Sequence, residues 1–172
     1  MAKLIERIRL FLIEANQHGY GAGSKPRYSV LPNGATISVR LETDGSKTIE
    51  YTRGDWRSHD NYFGGEPYGG RTVVFYQNQA IWMMVYYGQV VSGDSKEIYK
   101  ILRKALLASP DDFPIRGPAS LPFDGCRYNF AWSGQISKFE AMEYIMRNGA
   151  EIYRAKFVGG LVDQPEGVVS SI

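Results

Sequence analysis

Apolar positions in the first eighteen residues recur at helical spacing. Leu4, Ile5, Ile8, Phe11, Leu12 and Ala15 form one stripe. The run G-Y-G-A-G from Gly19 ends that helix, because glycine takes the left-handed conformation of a helix C-terminus cheaply. A second stripe of Ile98, Ile101, Leu102, Ala105 and Leu106 predicts a helix that starts at Asp94. Asp94 and Glu97 have the spacing of a capping box, and Ser109-Pro110 marks the exit. Most of the remaining chain alternates with period two. It predicts strands over 36–41, 47–52, 71–76, 81–87, 126–132, 143–146 and 151–157. Turn residues punctuate them: P-N-G at 32–34, D-G-S at 44–46, Gln77-Asn78-Gln79, and Asn148-Gly149.

Two of these stretches resemble each other. Shifting residues 57–91 by 71 positions lays Tyr68 on Phe139, Val74 on Ile145, Ile81 on Ile152, Trp82 on Tyr153 and Tyr86 on Phe157 without a gap. The pattern predicts a duplicated three-strand meander, each copy preceded by a helix. The expected architecture is a single α+β domain over 1–172, with halves of about 1–91 and 94–162 and a tail at 163–172. Its antiparallel sheet is expected to be strongly bent, or a partly closed barrel, with the helices over the open face. The junction of the halves is a natural place for a small-molecule cleft.

Composition narrows the function classes. A net charge of +2, with no long block of like charges, gives no argument for direct nucleic-acid binding. No apolar run approaches the roughly 20 residues of a helical membrane span, and the N-terminus lacks a secretory pattern. The single cysteine, Cys126, excludes an internal disulfide and a thiolate zinc cluster, so a cytoplasmic location is expected. The distinctive feature is an aromatic content of 13%, including twelve tyrosines. Tyrosine combines an apolar ring with a polar tip, which suits both pocket walls and sheet faces.

The polar groups with chemical potential are few. In R-S-H-D-N-Y-F-G-G-E-P-Y-G-G-R at 57–71, His59 and Asp60 are adjacent, so on a strand they point to opposite faces and cannot pair. His18 is too far away to complete a metal site, and neither a metal nor another cofactor is expected. Asp60 has an ordinary structural alternative, accepting hydrogen bonds from turn amides or pairing with an arginine. Arg116 sits in F-P-I-R-G-P, a loop stiffened by two prolines, and can clamp an anion or make an ion pair with Asp60 or Glu143. In W-M-M-V-Y-Y-G, Trp82, Met84 and Tyr86 share one face of what reads as a central strand. No G-x-S-x-G elbow occurs, and G-Y-G-A-G follows its helix where a phosphate loop would precede one. Under the shift of 71, His59 falls on Phe130 and Asp60 on Ala131, so the scaffold does not require those polar groups.

Several motifs in order carry a family resemblance: G-D-W-R-S-H-D-N-Y-F-G-G at 54–65, A-I-W-M-M-V-Y-Y-G at 80–88, and F-P-I-R-G-P at 113–118. With F-x-x-x-E-x-I and Y-x-x-x-F-x-G-G near the end, they resemble a family of uncharacterised bacterial and archaeal domains of unknown function. Its members occur alone or fused behind helix-turn-helix segments. The resemblance runs from about Phe11 to Val162 and implies no established activity. Two positions depart from it: Arg71-Thr72 where the family carries a glutamate, and Val85 where it tends to have asparagine.

The function expected from these readings is non-catalytic: a module that recognises a small molecule or peptide in an aromatic-lined cleft, in the manner of a sensor domain. Asp60, Tyr62, Trp82, Tyr86, Arg116 and Glu143 are the expected ligand-binding residues. The alternatives are a small hydrolase or lyase using His59 or Asp60 with Arg116, and a structural domain that forms a homodimer through its aromatic face.

Overall fold

The structure is a computed structural model that describes residues 2–23, 25–108, 113 and 115–163. Two α-helices accompany one antiparallel sheet of ten strands. Helix α1 (Ala2–His18) leads through a single 3-10 turn at Tyr20–Ala22 into strands β1 (Arg27–Val30), β2 (Thr36–Leu41), β3 (Lys47–Arg53), β4 (Trp56–Gly64), β5 (Tyr68–Tyr76) and β6 (Gln79–Val90). Helix α2 (Ser95–Leu107) follows, then β7 (Ser120–Phe123), β8 (Cys126–Gln135), β9 (Lys138–Arg147) and β10 (Ala150–Leu161). The order across the sheet is β1-β2-β3-β4-β5-β6-β10-β9-β8-β7. The chain therefore lays down successive hairpins outward-to-centre, then restarts at the far edge and returns to the centre.

The helices form where the apolar stripes place them. Leu4, Ile8, Phe11, Leu12 and Ala15 of α1 are buried, as are Ile98, Ile101, Leu102, Ala105 and Leu106 of α2. Asp94 caps α2 by accepting from the Lys96 amide at 2.9 Å. The reciprocal half of the capping box is not made, because Glu97 pairs with Arg147 on β9 at 2.8 Å instead. The expected exit at Ser109-Pro110 lies outside the described residues; Ala108 ends the helix in an extended conformation. At the end of α1, the Arg27 guanidinium donates to the carbonyl of His18 at 3.0 Å, supplying charge where the helix exposes unpaired carbonyls.

The α+β class and the antiparallel sheet agree with the sequence pattern. The expectation of a strongly bent sheet or partly closed barrel does not: the sheet is neither closed nor strongly curled. Closure requires the first and last strands to exchange backbone hydrogen bonds. Here β1 and β7 are four residues each and stand at opposite edges. Within 57–71, β4 runs through His59 and Asp60 with full ladders to β3 and β5, and a turn at 65–67 joins it to β5.

One face of the sheet carries the core. Tyr51, Val74, Trp82, Phe139, Ile145, Tyr153 and Phe157 are buried there together with the apolar stripes of both helices. A one-residue register shift in the β5–β6 ladder makes both Ile81 and Trp82 buried, and a shift in β9–β10 does the same for Ile152 and Tyr153. The opposite face is uncovered: Val85, Tyr87 and Val158 remain 43%, 58% and 49% exposed. No helix among the described residues is long and apolar enough to cross a membrane.

Candidate functional site

A cavity of about 320 Å³ lies between the helices and the inner face of the sheet. Strand alternation supplies its floor. Ile49 and Tyr51 come from β3, Ser58, Asp60 and Tyr62 from β4, and Tyr68 and Thr72 from β5. Met84 and Tyr86 of β6 and Phe157 of β10 extend it across the centre of the sheet. The roof is made of Ala15 and Asn16 of α1, Tyr20, and Ser95, Tyr99 and Arg103 of α2, with Arg116 entering from the loop before β7.

Asp60 is the carboxylate on the floor of this enclosure, and Glu66 of the β4–β5 turn also lines it. The Asp60 Oδ1 accepts from the Tyr86 hydroxyl at 2.7 Å and the Thr72 hydroxyl at 2.9 Å. Thr72 is the direct cross-strand partner of Asp60, so register alone fixes that contact. Among the described residues no donor reaches Oδ2. Burial raises the Asp60 pKa above the ordinary carboxylate value, although the hydrogen bonds from Tyr86 and Thr72 and the charge of Arg116 work in the other direction. Burial also pushes the Tyr86 hydroxyl far above its usual value, and the neighbouring Asp60 adds to the shift.

Glu143, on β9, is completely buried and fully answered. Arg116 donates to it twice, Nε to Oε1 and Nη2 to Oε2, each at 2.9 Å. The hydroxyls of Tyr128 and Tyr153 add bonds at 2.8 Å and 3.1 Å. Burial alone would weaken the Arg116 charge, but Glu143 overcomes that and holds the guanidinium protonated. The Tyr153 hydroxyl is further bonded to the Tyr68 hydroxyl, which carries the network to the cavity wall. On the opposite side Tyr99 donates to the Gly65 carbonyl at 2.7 Å and to Glu66, tying α2 to the β4–β5 turn.

Of the residues expected from the sequence, Asp60, Tyr62, Tyr86 and Arg116 line the cavity. Glu143 stands behind Arg116 and does not reach the open space. Trp82 is elsewhere: it is fully buried, donates its indole N–H to the Ile136 carbonyl at 2.8 Å, and stacks on Phe139 with centroids 5.9 Å apart. His59 lies on the opposite side of β4 from Asp60, paired across the ladders with Glu50 and Val73. Partial burial lowers its pKa, and it does not contribute to the cavity. The structure thus resolves the two partners open to Arg116 in favour of Glu143, and gives Asp60 side-chain hydroxyls in place of turn amides.

Sequence reasoning missed Tyr68, Thr72, Tyr99 and Arg103. Tyr99 and Arg103 are four apart on α2 and so share a face, which was visible from helical spacing. Thr72 and Tyr68 required the β4–β5 register, which their sequence does not print. Among the described residues no three His, Cys, Asp or Glu side chains form a group that could hold a metal ion.

Comparison with known families places this chain in the one described as Domain of unknown function (DUF5680), which matches residues 60–162, more than half of the sequence. The chain belongs to that family. The match starts at Asp60 and takes in β5, β6, α2 and β7–β10, while α1 and β1–β3 precede it. Neither the curated proteins nor the solved structures give a match.

Two outcomes follow from this geometry. Glu143→Gln should destabilise the protein by about 3–5 kcal/mol in denaturant unfolding, because it leaves the Arg116 charge buried without its counter-ion. An effect below 1 kcal/mol would show that the pair is not sealed from water. Asp60 makes stability depend on pH. Its raised pKa in the folded state contributes stability below the unfolded aspartate value, and that contribution is lost as pH rises through the folded value. Asp60→Asn keeps an acceptor for Tyr86 and Thr72 but carries no charge. It should therefore melt higher than the wild type at neutral pH, with the gap narrowing in acid. A variant that melts lower at neutral pH contradicts this.

Proposed function

We propose that the chain is a non-catalytic binding module that takes a small molecule, or the end of a peptide, into the cavity between α1, α2 and the sheet. The observation that carries this reading is the contrast between Asp60 and Glu143, two carboxylates on the same face of the sheet. Glu143 has every oxygen engaged by protein donors, whereas Asp60 keeps one oxygen without a donor among the described residues, inside an aromatic-walled enclosure. A half-buried carboxylate with one oxygen left unanswered by the protein costs stability, and bound ligand is one way to recover it.

The duplicated-unit reading supports the same view. In both β5–β6 and β9–β10 the ladder shifts register by one residue, and both hairpins turn through left-handed residues, Gln77-Asn78 and Asn148-Gly149. The turn between β8 and β9 is one residue shorter than that between β4 and β5, so β4 falls on β8 one position away from the shift of 71. On that correspondence the cross-strand pair Asp60–Thr72 answers to Phe130–Glu143. Each half then holds one carboxylate in the corresponding cross-strand pair, on opposite strands of it, one answered by Arg116 and the other left open.

A catalytic reading has less support. His59 is on the wrong face of β4, and Arg116 has already spent two of its donors on Glu143. We propose a cytoplasmic setting, where the lone Cys126 stays reduced. The family resemblance implies relatives fused to helix-turn-helix segments; in such a chain this cavity would serve as the effector pocket.

Thermal-shift screening of a metabolite library against the purified protein tests the proposal. A ligand present at 100 times its dissociation constant stabilises by about 2.7 kcal/mol. The expected result is a shift in the wild type that is lost in Ser58→Leu, which narrows the cavity from its floor. Shifts of equal size in both proteins, or none in either, would overturn it.

A further inference from the structure

We infer that the cavity selects a small organic monocation, an ammonium on an apolar or aromatic body, with the charged nitrogen held at Asp60 Oδ2. This deepens the binding reading above and rests on it. Charge balance around the cavity favours a cation. Arg116 is the enclosed cation, and Glu143 answers it through both Nε and Nη2, so that pair offers a ligand no net charge. Asp60 is what remains, with Oδ1 occupied by Tyr86 and Thr72 and Oδ2 without a donor among the described residues. A ligand donor is most effective where a desolvated acceptor awaits it.

Tyr68, Tyr86 and Tyr99 favour a cation as well. Their rings run continuously along the wall: Tyr68 to Tyr86 at 6.0 Å, Tyr68 to Tyr99 at 6.1 Å, and Tyr86 to Phe157 at 6.0 Å. Their hydroxyls are committed within the protein, to Asp60 from Tyr86, to Tyr153 from Tyr68, and to Glu66 and Gly65 from Tyr99. Those three hydroxyls are therefore spent as donors for an anionic ligand, while the Tyr68, Tyr86 and Tyr99 ring faces still attract a cation; the Phe157 ring already lies under Arg116 at 5.4 Å. For charge, an anion would have to rely on Lys47 and Arg103, the lining cations not paired with Glu143, both part-exposed to solvent, where water and salt screen the attraction. The same two residues oppose a second positive charge on the ligand. Glu66, the other lining carboxylate, is already occupied by the Val90 amide and Tyr99. The volume of about 320 Å³ is at the small end of ligand pockets, which favours a compact arylalkylamine over a polyamine.

Three probes of one shape test this: 2-phenylethylamine, 2-phenylethanol and phenylacetate, titrated at neutral pH by calorimetry, with spermidine as a polycation control. The amine is expected to bind at least tenfold more tightly than the alcohol, with phenylacetate and spermidine weaker still. In Asp60→Asn the amine should fall to the affinity of the alcohol. Phenylacetate or spermidine binding most tightly would overturn the assignment, as would an amine preference that survives Asp60→Asn. Either result leaves a binding cavity with the wrong ligand class. If no probe binds and no library compound shifts the melting temperature, the binding reading falls together with this one. The wild-type ranking alone decides the matter should the variant fold poorly.

Discussion

The carboxylate of Glu143 is the point on which the surroundings of the cavity depend. It sits fully buried on β9 and gathers donors from β8, β10 and the loop before β7. A buried ion pair of this kind adds little net stability over a well-packed apolar substitute, so its effect is chiefly positional. It fixes Arg116 as a wall, and through Tyr128 it holds the loop, since the Gly117 amide donates to the Tyr128 hydroxyl at 3.1 Å. Only glycine fits at position 117, where a Cβ would meet the Ala105 carbonyl oxygen of α2 at 2.8 Å. The loop is thus pressed between helix and sheet. Through Tyr153 the network reaches Tyr68 and the opposite wall.

Against this closed arrangement Asp60 stands open. The two acids lie on the same face of one sheet and differ in what the roof supplies to them. Arg116 comes down onto Glu143 with paired bonds, but no basic side chain is bonded to Asp60. The sheet makes this possible because it stays open and covered on one side only. Two helices are too few to fill the inner face of ten strands with apolar side chains, and the uncovered volume collects over β3–β6.

Much of this frame was legible in residue spacing. Both helices follow from their apolar stripes, and Asn148-Gly149 marks its hairpin through left-handed φ values of 51° and 78°. The edges were not legible, because β1 and β7 are too short to display alternation. Period two correctly grouped Trp82, Met84 and Tyr86, yet only the last two reach the cavity. Two residues along a strand span roughly 6.6 Å, enough to pass from open space into packed core. What seals Trp82 in is the Ile136 carbonyl, 54 positions away in the chain. The same limit hid Thr72 behind Asp60: strand register is a tertiary property. Arg116 was recognisable as a loop cation, but choosing Glu143 over Asp60 required knowing which strand lies beneath the loop.

The central claim is that Asp60 is a half-buried carboxylate facing a cavity with one oxygen unanswered by the protein, and its protonation can be observed directly. Carboxyl-carbon NMR of aspartate-labelled protein, with Asp60→Asn to assign the resonance, gives its titration midpoint. The account predicts a midpoint clearly above the ordinary aspartate value of about 3.9, moving downward when an amine is bound. A midpoint at or below that value in the ligand-free protein would mean that Asp60 is already hydrated or paired, and would contradict the account.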